Sequence, residues 1–359
     1  MVYVFQIMDK YTFTIYFSVL FFSSFFSLGV SHSKSKSEEF IGRFFLFISL
    51  LIPAILRYGL GADYTSYESM YYNNEYRKEY AEIGFNFVCN FFQFFELSSW
   101  WMFFSFSFIT YFILSFFVKK KNLVYIIVFY ILFSGYFRSL DQIRQSLALP
   151  FILLAIDAFM QKEIIKTYFY ILIGALFHTS SVIFALLLPI CSIHLSTKAR
   201  FLIIIGGAFG IFTLNLSETL TTLIMVIYPR YAMLMDRGVG SFGSGFGFIA
   251  NTLFPFIFLL GKSDKRAIVV RENHIEKNFA MIYILLFFLT AQIAIFNRLR
   301  DLLWVVILYT IPKIPKSKYR TVIYCIIFSM GFLVFFRSIQ VQHGSGTNQI
   351  SPYVTIFEK

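Results

Sequence analysis

The sequence predicts an all-α polytopic membrane protein, with about ten transmembrane helices and one re-entrant helix pair. Three observations predict it. Of the 359 residues, 58% are hydrophobic and only 14% charged, whereas a soluble domain carries about 25% charged residues. Apolar runs of roughly twenty residues recur from end to end, the length that crosses a bilayer. Lysines and arginines gather in the short loops between those runs, the mark of cytoplasmic segments. No long polar linker interrupts the chain, so 1–359 reads as one integral membrane domain.

Composition also excludes several classes. The net charge of +12 is spread over short loops and forms no single basic patch, so nucleic acid is not an expected partner. Cys89, Cys191 and Cys325 are scattered and make no CxxC pair, which argues against a disulfide framework and a zinc site. GVGSFG, Gly238 to Gly243, has the letters of a dinucleotide loop but follows no strand. There is no HExxH, P-loop or nucleophile elbow. Neither metal nor cofactor is expected.

The spans follow in order. Tyr11 to Val30 has no small-residue cleavage site after it and reads as a retained span. SHSKSKSEEFIGR goes inside, and Phe44 to Leu56 returns outward. The outward polar loop, at about 57–98, carries charges among many tyrosines; Phe85 to Phe95 within it suits the interface. Trp100 to Val118 ends in Lys119, Lys120 and Lys121, the plainest inside signal. Leu123 to Phe137 comes out to Arg138, and the next span runs to about Met160 with Pro150 as a kink. Lys166 and Lys198 both look inside, so Thr167 to Ile193 must enter and leave on one side, as a re-entrant pair with His178 at its tip. One span with His178 mid-membrane is the alternative. Beyond it, Phe201 to Tyr228, Phe248 to Leu260, Phe279 to Phe296, Leu302 to Ile311 and Thr321 to Phe336 complete the set. Gly261 to Asn278 and KIPKSKYR are inside loops, NRLRD an outer loop, and Arg337 to Lys359 an outer tail.

The stretch RSLDQIRQ, Arg138 to Gln145, is the most unusual. As one helix it lines Arg138, Asp141, Arg144 and Gln145 along a single stripe at a membrane boundary. Ionisable groups there are costly and usually functional. The outer face also collects Arg57, Arg230, Arg237, Arg298, Arg300 and Arg337. Guanidinium forks suit phosphate oxygens, and a polyprenyl pyrophosphate headgroup is a dianion that such a set fits. Snorkelling and pairing with Asp63, Asp141 and Asp301 is the structural alternative. His178 has the chemistry of a general base if it faces the cavity. Asp63 and Glu68 compete for that role, while Asp157 is read as structural. The tyrosines from Tyr58 to Tyr80 could stack on sugars or form an interfacial belt.

Six blocks carry a resemblance. They are RYGLGADYTSYESMY (Arg57 to Tyr71), AEIGFNF (Ala81 to Phe87), IRQSLALPFILLA (Ile143 to Ala155), LFHTSSVIF (Leu176 to Phe184), NRLRDLLWVVILYTIP (Asn297 to Pro312) and NQISPYVTIF (Asn348 to Phe357). In this order they resemble the EpsG family, the Wzy-like polymerases of exopolysaccharide and O antigen. Asp-Tyr-x-x-Tyr, Arg-Gln-x-x-Ala and Phe-His-x-Ser are the specific parts; the Asp-Leu-Leu after Arg300 departs from the family's aromatic-rich run. The resemblance implies a metal-independent, GT-C-like glycosyltransferase in the bacterial inner membrane with a periplasmic active face. It would join undecaprenyl-pyrophosphate-linked repeat units, alongside a chain-length regulator protein. Arg57, Arg138, Arg144, Gln145, Arg298 and Arg300 would contact pyrophosphate. His178 or Asp63 would be the base, and Asp141 would orient the arginines. A flippase of lipid-linked oligosaccharide, or an O-antigen ligase-type transferase, is the competing reading; a flippase should show an internal repeat, and none is visible.

Overall fold

A computed structural model describes residues 10–213, 219, 222, 245–260, 267–290, 296–310, 320–340 and 350–358. The described residues are helical and contain no strand; Arg57 and Thr355 make an isolated antiparallel bridge. Five helices are long and apolar enough to cross a membrane, or six if one bent pair counts as a span. The protein is a multi-pass helical membrane protein. The remaining segments behind the sequence count of about ten are shorter or more polar helices, or lie partly outside the described residues. GVGSFG, Arg230 and Arg237 lie outside them too.

The chain divides into two compact units, Met1–Val182 with Phe328–Lys359, and Ile183–Ile327. The first opens with α1 (Lys10–His32) and α2 (Lys36–Leu56). Helix α2 starts eight residues earlier than the apolar run Phe44 to Leu56, because Ser35 caps it by accepting the Glu38 N–H at 3.1 Å and two acidic residues occupy its first turn. The polar loop then folds into three short helices, α3 (Tyr64–Tyr72), α4 (Asn74–Tyr80) and α5 (Ile83–Phe94), ahead of α6 (Ser99–Phe116). Next come α7 (Lys120–Leu132), α8 (Gly135–Asp141), α9 (Ile143–Met160) and α10 (Ile164–Phe177).

Helix ends in this unit pair up as alternating spans require. At one end, Arg43 donates to the Ser115 and Val118 carbonyls, Lys120 to the Ser33 carbonyl, and Lys119 pairs with Asp157 at 2.6 Å. At the other, Trp100 donates to Ile55 O at 2.8 Å and the Asp63 N–H to Asp141 at 2.9 Å. All three lysines at 119–121 thus belong to the end opposite Arg57 and Asp141.

The loop helices are stapled by Arg77, which is fully buried. It donates to the carbonyls of Met70 and Tyr71 and to the side-chain oxygens of Asn74, Asn86, Asn90 and Gln93. The other face of α5 exposes Ile83, Phe87, Phe91 and Phe94, the amphipathic pattern of an interfacial helix. Arg77→Ala strands those acceptors, and about 3 kcal/mol of local stability should go with them. Faster proteolysis within 57–98 and a lower Tm in detergent would register that loss.

RSLDQIRQ is not one helix. Helix α8 ends at Asp141, Gln142 leaves helical geometry (φ −95°, ψ 65°), and α9 starts at Ile143. Helix α7 is itself bent by 62° against α8, through Ser134 in the left-handed region (φ 65°). Side chains in this stretch bond elsewhere instead of supporting a helix: Ser139 joins Tyr111 and the Tyr136 carbonyl, and Asp141 takes a distant backbone N–H. The expected single stripe is therefore divided.

The second unit holds α11 (Phe184–Cys191), α12 (Thr197–Thr213), α13 (Gly245–Leu260), α14 (Ala267–Thr290), α15 (Phe296–Thr310) and the first turns of α16 (Arg320–Gln340). Its core gathers Ile204, Phe258, Leu259, Ala280, Met281 and Ile284. Two polar stretches expected as loops are helical. From Ala267 onward the stretch ending at Asn278 belongs to α14. There Asn278 accepts from the buried Arg200 at 2.7 Å and donates to the Cys191 and Ile193 carbonyls, so polar side chains hold the helix in place. NRLRD forms the start of α15, where Arg300 pairs with Asp301 at 3.0 Å.

Candidate active site

The site is built on the turn after α2. Its backbone is pinned by the tail: Tyr58 N–H donates to Val354 O and Ile356 N–H to Leu56 O, both at 2.8 Å, and Tyr353 donates to Pro53 O. Residues 353–356 of the closing block thus pack where RYGLGADY begins. The turn also fixes Arg57, which is 2% exposed. Its Nη1 donates to Ala54 O at 2.6 Å, and its guanidinium lies 5.5 Å from the Phe103 ring, which stacks on Tyr64. Nε and Nη2 of Arg57 meet no acceptor among the described residues. Buried donors left so are costly, and in native proteins they call for an explanation.

Gly61 carries the turn onto the end of α8. Its φ of 110° suits glycine, and a Cβ there would lie 2.8 Å from Leu140 O and 2.9 Å from Asp141 Cα. This close approach lets the Asp63 N–H reach Asp141. Asp141 is buried, with the charges of Asp63 and Arg57 nearby. Asp63 heads α3 without capping it through its side chain.

From α9, Arg144 reaches the turn between α4 and α5. It forms an ion pair with Glu82, donates to Tyr80 O at 3.1 Å, and sits 5.5 Å from the rings of both Tyr67 and Phe85. The other oxygen of Glu82 faces His178 Nδ1 at 3.6 Å. Helix α10 ends at Phe177, with His178 in extended geometry (φ −150°, ψ 101°) and its N–H on Gly174 O. A short 3₁₀ turn, Thr179–Ile183, follows. The break needed for a tip at His178 is present, and the 14 residues of α10 span about 21 Å, short of a bilayer of about 30 Å. The ring is mostly buried, and its Nε2 has no hydrogen-bond partner among the described residues.

Gly84 brings these elements together. A Cβ there would come 2.7 Å from Leu176 O and 3.0 Å from the Phe177 ring. Gly84→Val should push α5 off the end of α10 and cost about 1–3 kcal/mol by overpacking. The check is a lowered Tm together with loss of an engineered disulfide between positions 82 and 178, which forms only while the two segments touch.

Burial by itself would raise the Glu82 carboxyl, but the bond with His178 and the charge of Arg144 outweigh it and hold the group below the usual value. A depressed folded value means that this contribution is complete above the ordinary carboxylate range. It is lost as pH falls through the depressed value.

Arg57, Asp63 and Asp141 form one group and Arg144, Glu82 and His178 another, both in the first unit and both against the aromatic cluster that holds Tyr67, Phe85 and Phe103. One expectation changes. Asp141 does not sit between Arg138 and Arg144, since the helix break turns it to the 61–63 backbone. Arg138 bonds Phe133 O at 3.0 Å, at the bend, and Gln145 is buried on α9. Glu68 accepts from Ser99 at the start of α6. Arg298 and Arg300 stand on α15 in the second unit, Arg298 exposed and Arg300 over the Phe287 ring. Sequence reasoning gave Glu82 and Tyr67 no role in the site, although Tyr67 is the second tyrosine of Asp-Tyr-x-x-Tyr and Glu82 lies within the block AEIGFNF. Among the described residues no group of three or more His, Cys, Asp or Glu is set to hold a metal ion.

The molecule is therefore a multi-pass helical membrane protein with a buried cationic and carboxylate network at one end of its spans. The model of the EpsG family matches residues 40–355, most of the chain. The chain belongs to the EpsG family, a Wzy-like polymerase family. Searches of curated proteins and of solved structures returned no match.

Proposed function

We propose that the protein polymerises lipid-linked oligosaccharide repeat units on the periplasmic side of a bacterial inner membrane, in O-antigen or exopolysaccharide synthesis. The observation that carries this reading is the buried Arg57, with two guanidinium nitrogens unpartnered among the described residues beside the Asp63–Asp141 turn. Such a fork offers parallel donors to phosphate oxygens. Arg144 supplies a second fixed cation against the same aromatic cluster. The substrate in this reading is an undecaprenyl pyrophosphate carrying a glycan.

The reaction is a glycosyl transfer. A sugar hydroxyl of one repeat unit attacks the anomeric carbon of the chain on the other carrier. The new C–O bond forms as the bond to pyrophosphate breaks, and the carrier leaves as its diphosphate. Arg57 and Arg144 stabilise the charge growing on that leaving group, while His178 or Asp63 takes the hydroxyl proton. Arg138, Gln145, Arg298 and Arg300 are further candidate contacts. A chain-length regulator and a GT-C-like arrangement of about ten spans belong to this proposal.

Deleting the protein tests it. A polymerase mutant should still display single repeat units on the lipid anchor but no ladder. Complete absence of repeat units outside would mark a flippase instead, and a normal ladder left unattached would mark a ligase.

A further inference from the structure

We propose that Glu82 is the positioning residue that sets the proton arrangement of His178 and ties it to Arg144. The inference rests on the polymerase reading with His178 as base. One carboxylate serves both groups: one oxygen pairs with Arg144 and the other faces His178 Nδ1 at 3.6 Å. A carboxylate accepts and cannot donate, so the neutral ring facing it carries its proton on Nδ1. The Nε2 lone pair is then left over, on the atom that is buried without a partner among the described residues. That is the arrangement a general base needs, with the acceptor nitrogen aimed away from the group that orients it. The backbone supports the geometry from both sides. His178 is fixed by its N–H on Gly174 O and its carbonyl under Ser181 N–H, and Glu82 is brought to it by the Gly84 contact with Leu176.

The charged and titratable groups around the pair come from separate elements. Glu82 lies on the turn before α5, Arg144 on α9 and Tyr67 on α3, with Asp63 and Asp141 acting on Tyr67. Only Glu82 faces the ring within ion-pair distance among the described residues.

The test uses the full-length protein in detergent or nanodiscs with a lipid-diphosphate-linked repeat unit. Glu82→Gln should lower kcat by about 10- to 100-fold, a typical share of general-base catalysis. Glu82→Asp should recover part of the rate. In a His178→Ala background, Glu82→Gln should cost little more, because residues acting as one unit are not additive. Equal losses in both backgrounds would overturn the proposal. A second readout needs no turnover: ¹⁵N spectra of histidine-labelled protein, which has five histidines. The neutral His178 ring should carry its proton on Nδ1 in the wild type and a tautomer mixture in Glu82→Gln. A proton on Nε2 in the wild type would refute the inference. An inactive wild type with the Nδ1 tautomer intact would count against the polymerase reading alone.

Discussion

Arg144→Ala should remove long polymer altogether while single repeat units persist. Three losses coincide at this side chain. The fork toward phosphate goes, the stacking on Tyr67 and Phe85 goes, and Glu82 is left buried with only His178 beside it. Breaking one partner of a buried ion pair costs about 3–5 kcal/mol, and both partners here are only 16% exposed. If that cost falls on the transition state, the rate drops by about two to four orders of magnitude. Arg144→Lys keeps the charge but not the planar fork or the stacking, so most of the loss should remain. The ladder on a gel reads the outcome, and a melting curve separates it from misfolding. The double variant Arg144→Ala, Glu82→Gln should melt higher than Arg144→Ala, since it no longer buries an uncompensated carboxylate.

His178→Ala carries the second large effect. A positioned base contributes about 10²- to 10⁴-fold, so polymerisation should fall into that range with little change in Tm. The helix end is set by the His178 backbone, through its N–H on Gly174 O, and a truncated side chain keeps that bond. Asp63→Asn is the paired measurement. Asp63 stands at the head of α3 and its backbone, not its carboxylate, holds Asp141. A mild Asp63→Asn beside a severe His178→Ala assigns the proton to the imidazole. The reverse pattern assigns it to Asp63.

Much of the fold was legible because membrane spans write themselves in composition. The runs starting at Tyr11 and Trp100 became α1 and α6 within two residues at either end, and the span into Met160 ended on that residue. The lysines at 119–121 were read as one side of the membrane, and they do sit at the end opposite Arg57 within their unit. Polar helices were the weak point. Ala267 to Asn278 looks like a loop by charge, yet its asparagine and histidine are spent on Arg200. Periodicity alone could not say that Gln142 would break RSLDQIRQ, because the break depends on Asp141 bonding a residue 78 positions away. The site was legible by residue type and only partly by pairing. Arg57, Arg144 and His178 stood out as costly groups near span ends. Glu82 did not, since it is one of several acids in a polar loop, and only the Gly84 contact with α10 singles it out.

The most direct measurement is photo-crosslinking with a lipid diphosphate whose reactive group lies beside the phosphates, followed by mass spectrometry of the labelled peptides. The label should fall on 57–67, 141–146 and 177–181, and Arg57→Ala should erase it while excess unlabelled diphosphate competes it away. Labelling that avoids all three segments, or that survives Arg57→Ala unchanged, would contradict a diphosphate site at this network.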